Sequence, residues 1–393
     1  MDPKFERLEG RSPQYWSLLA LLGALAVAGF LVTWYASVKG LWVTGMTNRI
    51  PWGLQIVMAV YYIGFSEGCL VVAGLYGVFG KQEYKPFARM AVFLAMLFLI
   101  AGLLSILTDQ GRMDRVFVET FIHFNFQSMF SINPLLYLGH ILICILFLFV
   151  MFKQMDRLVK VVATMAFAWA FCVHSGTGAI FGFGARVLYE SPMLPATFVA
   201  AAMASGIALM IVMVTGLFKL TNRHVDDALI LWLGKLMAVT LTVVVYLVFV
   251  ENAYRAYVFE LREAAHFYLF GGFHSVLFWL GLVCTGLIGP MLILFHPKLG
   301  KSVRWVVVAS LMVMAGVLCE RYVIVLPGLL HPPDLFPGME IIASEVNEGV
   351  ASYTVSWVEV VQALGVAGFI GFLFLWGIKV LSFLPKEARA PSL

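Results

Sequence analysis

Long apolar stretches alternate with short polar segments along this chain. Ten of the stretches reach the roughly 20 residues that a helix needs to cross the hydrocarbon core of a bilayer. Their apolarity is continuous, whereas the strands of a membrane β-barrel are short and alternate in polarity. The pattern therefore predicts an all-α integral membrane protein with about ten transmembrane helices. We place these spans at residues 17–36, 52–79, 90–107, 132–152, 160–180, 194–218, 228–250, 270–295, 303–324 and 355–380.

Composition supports the membrane class and excludes several others. The 393 residues are 62% hydrophobic and only 12% charged, which is far from a soluble globular domain. The net charge of +4 is small and spread over the connections, so nucleic acid is not expected as a partner. The five cysteines include no C-x-x-C pair, and we therefore expect no iron–sulfur cluster and no metal site in this chain.

Positive residues are distributed unevenly across the two sides of the spans. Seventeen of the 26 Lys and Arg residues lie at the chain termini and in the connections on their side, against seven in the other connections. Because cytoplasmic segments carry the excess of Lys and Arg, both termini are predicted to lie in the cytoplasm, with the protein in the cell (inner) membrane. The longer connections 108–131, 251–269 and 325–354 then face outward. They either dock a partner or cover a ligand site, or they are ordinary solvated loops.

Ionisable residues gather near the outward ends of the spans. A charged side chain within a spanning helix is costly and marks a candidate site. Any one of these residues could instead be an interfacial side chain in contact with water. Because they come from several spans and lie at similar depth, a shared site is favoured. The residues concerned are Asp109, Arg112, His123, His140, His174, Glu251, His274 and Arg321.

Two of these histidines lie deeper than the rest. His140 and His174 occupy neighbouring spans at comparable depth, a placement that suits the two axial ligands of a b-type haem. The alternative is a pair of hydrogen-bonded polar residues inside a helix bundle. We favour this alternative, because the sequence shows neither a second histidine pair nor glycine notches facing a haem.

Glu67 lies deeper still. It follows Trp52 by 15 residues, which at the rise of an α-helix is roughly 22 Å below the outward interface. A carboxyl group at that depth is expected to be neutral or paired. We consider two roles, a proton relay between an outward site and the cytoplasm, and a protonated side chain that bonds a neighbouring helix.

The connection after the third span contains neutral hydrogen-bonding groups between aromatic rings. Residues 119–128 read Glu-Thr-Phe-Ile-His-Phe-Asn-Phe-Gln-Ser, with His123 and Asn125 among the aromatics. Apolar walls with a few placed polar groups suit a quinone ring, and His123 is a candidate acceptor for a proton released from a quinol. An amphipathic loop packed on the bundle is the competing interpretation.

Several short motifs resemble those of the NrfD/polysulfide-reductase membrane-subunit family. The resemblance covers nearly the whole chain and rests on the order and spacing of these motifs. Within the family, the chain is most similar to DsrP-type and HybB-type subunits. The motifs are Pro51-Trp52-Gly53 at the start of the second span, Asp109-x-Gly111-Arg112, His123-Phe124-Asn125 with Ser128, and Arg321 before Pro327-Gly328.

The resemblance implies a single membrane domain over residues 1–393. In this domain the spans of 52–180 and those of 194–324 form two four-helix bundles, flanked by the first span (17–36) and the tenth (355–380). The resemblance also implies a menaquinone or other quinone near the outward face. The implied partners are an extracytoplasmic, ferredoxin-like iron–sulfur subunit and further subunits of a respiratory complex, with no redox centre in this chain.

The resemblance also assigns candidate site residues. It implies that Asp109, Arg112, His123 and Asn125 lie at or near the quinone, and that Glu251 and Arg321 belong to an outward polar network. Trp52 and His174 complete the candidate cofactor-binding set.

We therefore predict a quinone- or quinol-interacting membrane subunit of a multi-subunit respiratory oxidoreductase, with proton translocation left open. His123 is expected to exchange the proton, with Asp109 and Arg112 orienting it, and the DsrP-like appearance favours menaquinol oxidation. The alternatives are a b-type haem subunit, a passive anchor and a secondary transporter. A transporter requires a site at the midplane, whereas the polar cluster is peripheral and Glu67 is expected to stand alone.

Overall fold

The computed structural model describes residues 5–221, 223, 226–331 and 350–385, and most of them belong to helices. The ten candidate membrane spans found there are long and apolar enough to cross a bilayer, as predicted. Two further helices, α4 and α9, are shorter. The elements are α1 Pro13–Lys39, α2 Leu54–Gly77, α3 Lys85–Thr108, α4 Met113–Ile122, α5 Met129–Phe152, α6 Asp156–Gly182, α7 Leu194–Leu220, α8 Asp227–Tyr257, α9 Phe259–Phe270, α10 Gly272–Phe295, α11 Val303–Leu330 and α12 Trp357–Val380, with 3₁₀ turns at Leu41–Val43, Gln82–Tyr84 and Leu299–Lys301 and strands β1 Phe5–Glu6 and β2 Leu384–Pro385.

The spanning helices form two bundles and a flanking pair, as predicted. In bundle one, α2 packs against α3 and α6, and α5 packs against α3 and α6. In bundle two, α7 packs against α8 and α11, and α11 packs against α10. The flanking helices α1 and α12 pack on each other, and α12 also lies against α3.

Glycine notches let helices approach closely at the main contacts between and within these units. A Cβ added to Gly68 of α2 would lie 2.5 Å from the Cα of Gly206 in α7, so the two bundles meet backbone to backbone. The same relation joins α1 to α12, where a Cβ on Gly29 would lie 2.5 Å from the Cα of Gly365. Small residues of this kind are the usual means of close helix contact in membranes.

The two chain ends meet on one side of the molecule. β1 pairs with β2 in an antiparallel sheet of two strands, and Arg223, between α7 and α8, forms an ion pair with Glu6. We call this side the terminal face, and the opposite side, where α4 and α9 lie, the distal face. Because α3 runs away from the terminal face, Asp109 at its end lies near the distal face.

Three connections that the sequence predicts as loops contain helical structure. Segment 108–131 includes α4, and segment 251–269 is taken up by the end of α8 and by α9. The continuation of α8 is supported by Glu251 and Arg255, which are four residues apart and form an ion pair. In segment 325–354, α11 continues through Pro327 to Leu330, and residues 332–349 lie outside the described residues.

One spanning helix departs from α-helical hydrogen bonding. The stretch Leu277–Ile288 of α10 is a π-helix. Within it, the Thr285 hydroxyl donates to the carbonyl of Leu280, five residues earlier, at 2.7 Å. π-helical turns are rare and frequently lie at functional sites.

Candidate functional site

Two carboxylates meet the first backbone N–H groups of α2 near the distal face. Those N–H groups have no partner within the helix. Glu359, from the first turn of α12, accepts from the Leu54 N–H through Oε1 at 3.1 Å. Asp109, just after α3, accepts from the Gly53 N–H through Oδ1 at 3.4 Å. The positive end of α2 is thereby capped by acidic groups from two other helices.

Glu359 is held by several further hydrogen bonds. Its Oε2 accepts from the N–H groups of Gly45 at 3.0 Å and Ser356 at 2.9 Å, and the Tyr353 hydroxyl donates to Oε1 at 2.5 Å. A Cβ at Gly53 would lie 2.2 Å from Glu359 Oε1. The glycine of the Pro51-Trp52-Gly53 motif therefore lets the carboxylate approach the helix end.

Asp109 is a buried acid with spare hydrogen-bonding capacity. Its residue is only 5% exposed, and Oδ2 has no hydrogen-bond partner within the described part of the chain. Burial raises the pKa of Asp109 to about 7; the Gly53 N–H opposes this rise, and the negative charge of Glu359 adds to it. At neutral pH the group therefore exists in both protonation states and is suited to proton exchange.

Aromatic rings surround Trp52, the residue before Gly53. The Trp52 ring is stacked with that of Tyr189, with centroids 6.3 Å apart, and lies 5.7 Å from the rings of both Phe130 and Phe181. Tyr189 is fixed by a hydrogen bond from its hydroxyl to the carbonyl of Val325. The aromatic cluster thus includes the residue before Gly53, whose N–H donates to Asp109.

The side chains of Arg112, His123 and Asn125 are exposed, in contrast to buried Asp109. Arg112 precedes α4 and forms an ion pair with Asp114 at 2.8 Å, both side chains being more than half exposed. This contact lowers the pKa of Asp114 to about 2. His123 is 75% exposed with its Nε2 3.0 Å from Glu119, and Asn125 accepts from the N–H of Gln127 in its own turn. The roles predicted for these residues stay predictions.

Glu251 and Arg321 belong to a second buried cluster, in bundle two. Glu251 pairs with Arg255 at 2.8 Å. The Arg321 side chain is fully buried, with its guanidinium 4.1 Å from the centre of the Phe198 ring and 3.8 Å from Glu320. His274, at the start of α10, lies against the ring of Tyr322.

The deep carboxyl group of Glu67 is paired. Glu67 Oε1 lies 3.2 Å from His140 Nδ1, and His140 Nε2 lies 3.0 Å from the Ser66 hydroxyl. The expectation that Glu67 stands alone is therefore wrong. His140 thus lies between Glu67 and Ser66, and the alternative of haem ligation stays a prediction. His174 packs against Phe198, and its nitrogens have no hydrogen-bond partner among the residues described.

Sequence reasoning missed the contribution of Glu359 and Tyr353 to the cap of α2. The available signal was Ser356-x-x-Glu359, which has the form of a capping box at the start of a helix, and the structure shows that box. The motif gives no indication that the same carboxylate also reaches Leu54.

Known proteins are similar to this chain over almost its entire length. A family model described as polysulphide reductase, NrfD, matches residues 42–333. The Hdr-like menaquinol oxidoreductase integral membrane subunit of Archaeoglobus fulgidus is 35% identical, over 99% of this chain and 98% of its own length. A selenate reductase subunit of Mesobacillus selenatarsenatis is 24% identical, over 93% of this chain and 94% of its own.

Proposed function

This chain belongs to the NrfD polysulphide reductase family, and we propose that it is the quinol-interacting membrane subunit of a multi-subunit respiratory oxidoreductase. In this proposal menaquinol binds near the distal face, which faces away from the cytoplasm. Its electrons pass to an iron–sulfur partner docked on that face. Both termini then lie in the cytoplasm, in keeping with the excess of Lys and Arg on their side.

The observation that carries the proposal is the unpaired Oδ2 of buried Asp109, whose other oxygen accepts from the N–H of Gly53, the residue after Trp52. Oxidation of a quinol releases protons with its electrons, so the site needs a base that takes up a proton near neutral pH. Asp109 meets this need because its pKa is raised to about 7. The ring of the quinol would lie against Trp52 and its neighbours, with a hydroxyl group directed at Asp109 Oδ2.

The relatives support a quinol as the electron donor. One is named as a subunit of a menaquinol oxidoreductase, and another as a subunit of a selenate reductase. Both names describe one component of a larger oxidoreductase. This agrees with a chain that provides the quinol site and leaves further electron transfer to its partners.

The distal surface of α4 is the proposed docking area for the iron–sulfur partner. Val118, Phe121 and Ile122 are all more than half exposed there, next to exposed His123. Apolar side chains at the water-facing end of a membrane protein are covered favourably by a partner. In the complex, His123 would then be enclosed and would pass protons between Asp109 and the outside, with Arg112 nearby.

Replacement of Asp109 by Asn tests the proposal. The amide keeps the size of the side chain and removes the base, so menaquinol oxidation by the assembled complex should fall by about 100-fold, as when a general base is lost. Asp227→Asn, at an exposed position on the terminal face, is the matched control and should leave the rate unchanged. An Asp109→Asn complex that oxidises menaquinol at the rate of the control would refute the assignment.

A further inference from the structure

A cavity lies at the terminal face, at the end of bundle one that is opposite to Asp109. It has a volume of about 110 Å³. An apolar cavity of about 150 Å³ holds a benzene molecule, so this cavity has room for a smaller, compact group. Its wall includes Tyr76 of α2, Lys85 and Arg89 of α3, Met151 of α5 and Val159 of α6. Exposed Gln154 and Asp156 also line it, so the cavity opens toward water.

Arg89 places an almost fully buried positive charge at this cavity. The residue is 7% exposed, and its guanidinium lies 3.7 Å from the centre of the Phe5 ring and 4.9 Å from that of Phe152. It donates to the carbonyl of Met151 at 2.7 Å and to that of Ser382 at 3.2 Å. These two hydrogen bonds use two of the five N–H groups of an arginine.

The charge of Arg89 is not neutralised by the part of the chain that the structure describes. No carboxylate there forms an ion pair with it. Carbonyl groups and aromatic rings supply only partial negative charge, and water hydrates a guanidinium without neutralising it. Buried charges in proteins are normally paired with a charge of opposite sign. The cavity beside Arg89 is therefore suited to an anion.

Lys85 provides a second positive charge at the same cavity. It precedes Arg89 by four residues in α3, so the two side chains lie on one side of the helix. The Lys85 ammonium is 18% exposed and lies 3.9 Å from Asp156, whose side chain is 69% exposed. An ion pair with so exposed a carboxylate is weak, which lets Lys85 also contact an anion. Exposed Lys153 and Arg157 flank the cavity in sequence and add to the positive potential.

The position of these two cations along α3 indicates their depth in the membrane. Residues 90–108 of α3 contain no charged side chain. They rise by roughly 28 Å as a helix, which matches the hydrocarbon core of about 30 Å. Lys85 and Arg89 therefore lie at the boundary between the core and the layer of lipid head groups.

We propose that this cavity binds a phosphate group, held by Arg89 and Lys85. The N–H groups of a guanidinium match phosphate oxygens, and an ammonium adds a point charge. Phosphate is favoured over a carboxylate because it has more oxygens to share between two cations and because head-group phosphates lie at this depth. The head group of an anionic phospholipid and free phosphate both offer this chemistry. The site does not depend on the quinol site, which lies near the other face.

Binding of radiolabelled ligands to the assembled, delipidated complex tests the proposal. Phosphatidylglycerol in detergent and inorganic phosphate in solution are titrated separately, and the tighter ligand identifies the source. Lys85→Gln should weaken binding of that ligand about tenfold, as expected for one lost hydrogen bond between charged groups. Lys153→Gln, exposed on the same face, is the matched control and should change binding less than about twofold.

Two results would overturn the proposal. One is that neither ligand binds saturably to the unchanged complex. The other is that Lys85→Gln and Lys153→Gln bind the tighter ligand equally well, because attraction to the whole face would then account for the binding.

A second pair of variants decides the matter if Lys85→Gln fails to assemble. Asp156→Asn removes a negative charge from the cavity wall and should strengthen binding of the tighter ligand about threefold. Asp227→Asn changes the first residue of α8 on the same face and should leave binding unchanged. Equal binding by these two variants would contradict an anion in the cavity.

Discussion

Asp109 shows how a single carboxyl group acquires the properties of a proton acceptor from its surroundings. Burial at the end of α3 raises its pKa to about 7, and Glu359 contributes through its negative charge. One carboxylate oxygen is used by the Gly53 N–H, and the other is available to a ligand. The sequence predicts Asp109 and Trp52 as site residues through motifs that resemble those of the family, and Asp109 also as an ionisable residue at the end of a span. It does not predict the Glu359 contact, since Leu54 and Glu359 are 305 positions apart.

The pH dependence of menaquinol oxidation should report on this carboxyl group. Because the pKa of Asp109 is raised to about 7, the accepting carboxylate form is lost as pH falls below that value, and the rate should fall with it. Glu359→Gln removes a negative charge near Asp109 and should lower the pKa of Asp109. The acid limb of the pH–rate profile should then move to lower pH, by up to about one unit.

The control for this shift is Glu263→Gln, an exposed position on α9 at the same face. It should leave the acid limb in place. An acid limb that moves to higher pH in Glu359→Gln, or that persists in Asp109→Asn, would assign the titration to another group.

At the scale of elements, apolar length alone locates the ten spans, because each helix must match the thickness of the bilayer. Apolar length does not locate α4 and α9, because these helices have only 10 and 12 residues and contain several polar side chains. The apolar sequence of α10 also gives no indication that part of this helix is π-helical. Because α4 and α9 lie at the distal face, the surroundings of the candidate site there are less predictable than the spans.

The contact between α2 and α7 gives a prediction about the join between the two bundles. A Cβ at Gly68 would lie 2.2 Å from the carbonyl oxygen of Ala202, so Gly68→Ala should force the helices apart and destabilise the fold by about 1–3 kcal/mol. Gly216→Ala, on α7 with open space around it, is the control and should be neutral or stabilising by up to about 1 kcal/mol. Thermal unfolding in detergent measures both, and equal midpoints would contradict the close packing.

At the scale of the whole molecule, buried ionisable groups lie at different depths. Asp109 lies near the distal face, whereas Glu67 and His140 form a pair in the interior of bundle one. Glu67 therefore fits both hypotheses drawn from the sequence, a carboxyl group bonded to a neighbouring helix and a station for protons. Both roles require that Glu67 is buried and paired with His140. A measurement of proton movement is therefore needed to distinguish them.

Glu67→Gln makes that separation. If Glu67 relays protons, the variant complex in sealed vesicles should move at least about tenfold fewer protons per menaquinol oxidised, because the amide cannot exchange a proton. Glu83→Gln, exposed near the terminal face, should behave as the unchanged complex does. Unchanged turnover together with unchanged proton movement in Glu67→Gln would leave only the structural role.

The location of the quinol site is the claim on which the rest depends, and photolabelling tests it most directly. An azido-naphthoquinone is bound to the assembled complex and activated by light, and the labelled peptides are identified by mass spectrometry. We predict label on the segments that contain Trp52 and Asp109, and its loss in the presence of excess menaquinone. Specific label confined to helix ends at the terminal face, with none on either segment, would contradict the account.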